Sequence, residues 1–128
     1  MKTITIASWV LRLGVLAALI LGILFWVGSA PDSLIPVHEL IGIIVVLSLW
    51  VIGLTQGFYK GGSFSLAVVT FIVGLALAIV GLYQQQWLTG STHWIIQVIH
   101  LLLGLTAVGL GEMIAGRTKR RLKTLAAA

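Results

Sequence analysis

Four runs of nearly unbroken apolar sequence, at about residues 8–27, 36–54, 65–83 and 94–115, constrain this chain more than anything else in it. Each is close to the ~20 residues that cross a bilayer at about 1.5 Å per residue. A soluble domain carries about 25% charged residues; this chain carries 9%, against 59% hydrophobic. No soluble core hides that much apolar surface, so the sequence specifies a membrane protein. The breaks between the runs are turn-like: Gly28-Ser29-Ala30-Pro31-Asp32-Ser33, then Gln56-Gly57-Phe58-Tyr59-Lys60-Gly61-Gly62, then Gln84 to Thr92. Connections this short make sequential helices antiparallel neighbours. The expected fold is all-α: a single-domain, four-helix, up-down transmembrane bundle.

Charge sets the expected direction. The eight basic residues are Lys2, Arg12, Lys60, Arg117, Lys119, Arg120, Arg121 and Lys123, and none lies in the first or third connection. The positive-inside rule then puts both termini in the cytoplasm, with residues 116–128 as a basic cytoplasmic tail. That tail reads as a topology signal and a contact for lipid headgroups, not as a nucleic-acid site. Trp26, Tyr83, Trp87 and Trp94 form the outer aromatic belt, and Trp9, Trp50 and Tyr59 the inner one. Lys2, the first apolar run, Gly28 and Ala30 also have the layout of a secretory signal. The run is long for that role and contains Arg12, so it is read as a retained span.

Two of the three histidines head the same pattern. His38-Glu39-Leu40-Ile41-Gly42 and His100-Leu101-Leu102-Leu103-Gly104 both read His-x-Leu-x-Gly, 62 positions apart. The same shift lays Gly28-Ser29 on Gly90-Ser91 and Val46 on Val108. This is a weak internal repeat of a two-helix unit. Two hairpins in the same orientation are related by a pseudo-twofold axis along the membrane normal. His38 and His100 then face each other from the second and fourth helices. Depth agrees: His38 lies 16 residues before Leu54, the inner end of its span, and His100 lies 16 residues before Gly116, just outside the inner end of its own, about 24 Å along a helix in each case.

An ionisable ring inside a bilayer is costly and usually has a partner and a task. Paired neutral imidazoles on two helices suit the axial positions of a haem iron. The predicted metal ligands are therefore His38 and His100. Gly42 and Gly104, one turn along on the same face, leave room for a ring edge. Gly14 and Gly22 on the first helix, with Gly74 and Gly81 on the third, are candidates for thinning the flanking walls, although small residues are also ordinary helix-contact residues. His93 lies seven residues nearer the outer surface than His100. With Ser91, Thr92, Gln97 and Ser33 it is a candidate partner for haem propionates, or a replacement for one of the paired ligands. A bland reading has it bonding water or headgroups. A three-histidine zinc site fits poorly, because His93 and His100 are separated by about 10 Å of helix and zinc bonds its donors at about 2 Å. The absence of cysteine excludes disulfides, iron–sulfur clusters and covalently attached haem. Arg12 and Glu112, near the inner boundary of neighbouring helices, are expected to pair.

With a histidine one turn from a glycine on each of two helices, the chain resembles small four-helix membrane b-type cytochromes, of the bacterial cytochrome b561-like kind or the haem-binding core of respiratory cytochrome b. The resemblance rests on the four-span layout and on His38, Gly42, His100 and Gly104. It implies non-covalent haem b, bis-histidine ligation and residence in a bacterial-type inner membrane. It also implies electron exchange with a quinone or a redox partner protein. Many such proteins hold two haems and four histidines; with three histidines this chain holds at most one. It is then an electron carrier needing a quinone, a second copy or a larger complex, not a stand-alone enzyme. The competing expectation is a cofactor-free accessory subunit of a larger membrane complex.

Overall fold

The computed structural model describes residues 1–128 and is helical throughout, with no strand. The helices are α1 (Lys2–Trp26), α2 (Ile35–Phe58), α3 (Phe64–Tyr83) and α4 (His93–Ala127). All four are long and apolar enough to cross a membrane. Large apolar side chains stand exposed along every helix, including Leu13, Ile20, Leu47, Ile72 and Leu102. In water that surface would be untenable; against lipid tails it is the expected solvent-facing layer.

Local chemistry fixes the helix ends. Gly28 ends α1 at φ +71°, a left-handed conformation in which a Cβ would be strained. There the Ser29 N–H donates to the Leu24 carbonyl at 2.8 Å and the Gly28 N–H to Phe25 at 3.1 Å, closing α1 with a Schellman motif. Pro36 stands in the first turn of α2, where its missing N–H costs nothing. Ser63 caps α3 by accepting the Leu66 N–H.

Three boundaries differ from expectation. α1 already begins at Lys2, ahead of the expected start at about residue 8. α2 runs on to Phe58, taking Gln56, Gly57 and Phe58 out of the second connection. The buried Gln56 amide explains the extension: it donates to the Ser63 carbonyl at 2.7 Å and accepts the Ser63 N–H at 3.1 Å, fastening the end of α2 to the start of α3. α4 continues unbroken through the basic tail to Ala127. Its Ala, Leu, Lys and Arg content favours helix, and its packing persists as far as Thr118, which is 1% exposed.

Sequential helices pack antiparallel, with Gly22 near His38 and Gly14 near Val45, then Gly53 near Thr70 and Gly74 near Trp50. α4 returns to α1 through the Arg12–Glu112 pair, in which Arg12 Nε donates to Glu112 Oε1 at 2.8 Å. Leu11 likewise packs on Gly111. α2 and α4 each touch all three other helices. The end of the bundle carrying both chain termini also carries the α2–α3 turn, since the N-terminal amine donates to the Tyr59 hydroxyl. Most of the core lies toward this terminal end: Ile4, Ala7, Leu11, Leu49, Ile52, Ile114 and Ala115. Ser8, Thr70 and Thr118 are buried there too, and each hydroxyl donates to a carbonyl three or four residues back on its own helix. That satisfies them without water, as an apolar interior requires. α1 is part of this core, with Leu11 fully enclosed.

Trp50 departs from the inner aromatic belt. It lies flat against Phe71, with ring centroids 5.0 Å apart, and its indole N–H donates to the Phe71 carbonyl. Gly74 gives it the space, because a Cβ there would stand 2.3 Å from the indole nitrogen.

Candidate functional site

The half of the bundle away from the termini is built differently. A cavity of about 440 Å³ opens among all four helices. This lies within the range of ligand pockets, roughly 300–1,000 Å³. His38, His93 and His100 all line it, as do Gly42 and Gly104.

His38 projects from the first turn of α2 and His100 from the third turn of α4. Their ring centroids are 6.1 Å apart, with planes inclined by 61°. Helices α1 and α3 make room for them: Gly22 stands beside the Cε1 atom of His38, and Gly81 beside that of His100. A Cβ on Gly81 would lie 3.1 Å from the His100 ring, so that ring depends on the glycine. Phe25 stands edge-on to His38 at 5.7 Å and 90°. Phe25 and Gly22 are three residues apart on one face of α1. Nothing in the sequence singled out Phe25, although that spacing was available to find it. In each of His38 and His100 the Nδ1 atom is shut away from solvent with no hydrogen-bond partner. Buried polar atoms are nearly always paired, so two orphans on neighbouring rings need a chemical reason.

The four wall glycines divide. Gly22 and Gly81 line the cavity, whereas Gly14 and Gly74 belong to helix packing against Val45 and Trp50. Gly42 and Gly104 face open space, with nothing within 4 Å of where a Cβ would stand. Two glycines in helix contacts would show a neighbour pressed against them, and these show none.

His93 sits at the first residue of α4 and donates from Nδ1 to the Trp87 carbonyl at 3.2 Å. It lines the cavity but stands apart from the His38–His100 ring contact. Gln84, Gln85 and Gln97 add polar side chains to the lining, as do Asp32 and Glu39. Gln97 was expected near this surface; the two α3-end glutamines were not, because a run of three glutamines in a turn reads as solvated sequence.

No group of three or more His, Asp or Glu side chains is arranged to hold a bare metal ion. Paired imidazoles are a different donor set, suited to a metal that brings its own equatorial ligands. Two metal–nitrogen bonds of about 2 Å, with about 1 Å from each coordinating nitrogen to its ring centre, give a centroid separation of roughly 6 Å. The observed 6.1 Å meets that requirement. Two imidazoles on one cavity, with glycines beside it, are the donor set and the clearance that a planar macrocycle would need.

No protein-family model, curated protein or solved structure matches this chain.

Proposed function

We propose that this protein is a membrane b-type cytochrome that holds one haem b between His38 and His100 and carries single electrons within the bilayer. The observation that supports it best is the His38–His100 pair itself. Two imidazoles from different helices point into one cavity at the separation of axial ligands, each with a partnerless nitrogen. Bound there, haem supplies one-electron iron chemistry whose potential depends on axial ligands and burial.

The protein's own side chains do the rest. His38 and His100 would both hold the haem iron, which would favour electron transfer over binding of oxygen or substrate. Phe25 and the glycines Gly22 and Gly81 set the orientation of the two rings. Gly42 and Gly104 leave the walls thin. His93 and Gln97 offer hydrogen bonds to carboxylates at the rim. The surrounding apolar side chains exclude water.

The same reading gives the protein an orientation and a setting. Lys60 and the α4 arginines lie toward the terminal end, so that end faces the cytoplasm of a bacterial-type inner membrane and the haem lies toward the outer face. A duplicated hairpin accounts for the paired sites. Gly28 and Gly90, 62 residues apart, both have positive φ, in keeping with that origin. One haem does not span the membrane, so the partner is a quinone, a redox protein, a second copy or a larger complex.

The test is optical. Protein purified from cells supplied with haem is expected to be red, with a Soret band that sharpens and shifts on reduction. His93→Ala is expected to keep that spectrum. Colourless protein under the same conditions would overturn the proposal and favour a cofactor-free accessory subunit. If His93→Ala loses haem while His100→Ala keeps it, His93 is an axial ligand and the pairing is wrong.

A further inference from the structure

At the terminal end, a second cavity of about 440 Å³ lies between the α2–α3 turn and the late turns of α4. Its wall from α4 carries Arg117, Arg120 and Arg121. Its opposite wall carries Gln56, Gly61 and Ser63. Three guanidiniums along five residues of one helix repel each other, and carboxylates would normally offset them. The chain has three: Asp32, Glu39 and Glu112. Glu112 is taken by Arg12, in the only ion pair of the molecule. Asp32 and Glu39 line the histidine cavity at the other end. The arginines therefore have no anionic partner within the protein.

Arg121 makes the need specific. Its Nε is shut off from solvent and has no hydrogen-bond partner, while its Nη2 reaches Thr118 Oγ1 only at 3.5 Å. Its stem lies against Gly61, whose φ of +75° and missing Cβ let the turn come close; a Cβ there would meet Arg121 Cδ at 3.2 Å. The N-terminus of α3 opens into the same cavity through Ser63 and Leu66, adding the positive end of a 20-residue helix dipole. The C-terminal end of α2, also nearby, contributes the opposite sign, but its Gln56 amide is consumed by Ser63.

We propose that this cavity is a binding site for a phosphate group, held by the guanidiniums of Arg117, Arg120 and Arg121. Planar, permanently charged forks at this spacing match tetrahedral oxyanions better than ammonium groups do. The site sits where the apolar helices give way to a basic helical extension, the level of lipid headgroups. A phospholipid headgroup and free inorganic phosphate share this chemistry. Haem plays no part in it.

The test uses the full chain in neutral detergent, with unfolding followed by circular dichroism so that haem content does not enter. One arm adds inorganic phosphate against chloride at matched ionic strength; the other adds phosphatidylglycerol against phosphatidylcholine. Saturable stabilisation is expected in at least one arm. Phosphatidylglycerol alone identifies a headgroup, and inorganic phosphate alone a free ion. Arg120→Gln removes an exposed charge without disturbing the core, and Arg121→Gln removes the enclosed one. Each is expected to weaken binding about tenfold, the value of a charge-assisted contact. Lys119→Gln, which makes the same charge change outside the cavity, is expected to weaken it less than about twofold. No saturable stabilisation in either arm overturns the proposal, and so do equal losses in Lys119→Gln and Arg120→Gln, which would show diffuse attraction.

Discussion

The two halves of this bundle use glycine for opposite ends. Toward the termini, Gly53, Gly74 and Gly111 are filled by neighbours: Thr70, Trp50 and Leu11 press into the space a Cβ would take. Toward the other end, Gly42 and Gly104 meet nothing, and the helices stay apart around His38 and His100. One half is glycine-assisted packing and the other is glycine-assisted clearance. Lipid tails are as apolar as leucine, so helix association in a bilayer depends on close packing and not on expulsion of water. The packed half thereby holds the helices together and allows the other half to remain hollow.

That contrast can be broken by substitution. The largest effect belongs to the hollow half: His38→Ala or His100→Ala is expected to abolish haem retention, read from the Soret band, while helix content by circular dichroism stays as in the parent. Loss of both together would mean that the rings serve the fold and not a ligand. Next comes Gly53→Ala in the packed half. Its Cβ would fall 1.9 Å from Thr70 Oγ1, so α2 and α3 must part. Overpacking of this kind costs about 1–3 kcal/mol, measurable by denaturant titration in mixed micelles. Trp50→Phe keeps the stack on Phe71 and removes the indole donor, for a smaller loss of about 0.5–1.5 kcal/mol in the same assay. The smallest effect is Gly104→Ala. With nothing for its Cβ to touch, the haem-free protein is expected to unfold at or slightly above the parent's midpoint, since alanine is the better helix former by about 1 kcal/mol. A clear destabilisation there would show that the space at Gly104 closes in the bilayer.

Much of this was legible beforehand because its causes are local or periodic. The four spans follow from apolar run length, and the third, 65–83, is within one residue of α3. The end of α1 follows from Gly28, whose left-handed φ no other residue adopts as cheaply. The histidine pairing was legible because two equal spacings put two rings at one depth, and the rings indeed meet. The ends of α2 and α4 were not legible. Gln56 and Gly57 read as turn residues until the Gln56 amide is seen bridging to Ser63. The tail reads as solvated charge until Thr118 is seen buried. Residue type alone places Trp50 in a belt, but an indole beside a glycine packs inward.

The amino-acid sequence alone determined four bilayer-length helices, their antiparallel order and the shared level of His38 and His100, because run length, short turns and helical rise are properties of the chain itself. It did not determine which glycines fill and which leave space, nor that Arg121 and Phe25 face cavities. Those outcomes depend on how each helix rotates against its neighbours, and in an almost uniformly apolar chain no hydrophobic stripe fixes that rotation. Only the packed bundle settles it, through the handful of contacts where a missing side chain on one helix meets a bulky one on the next.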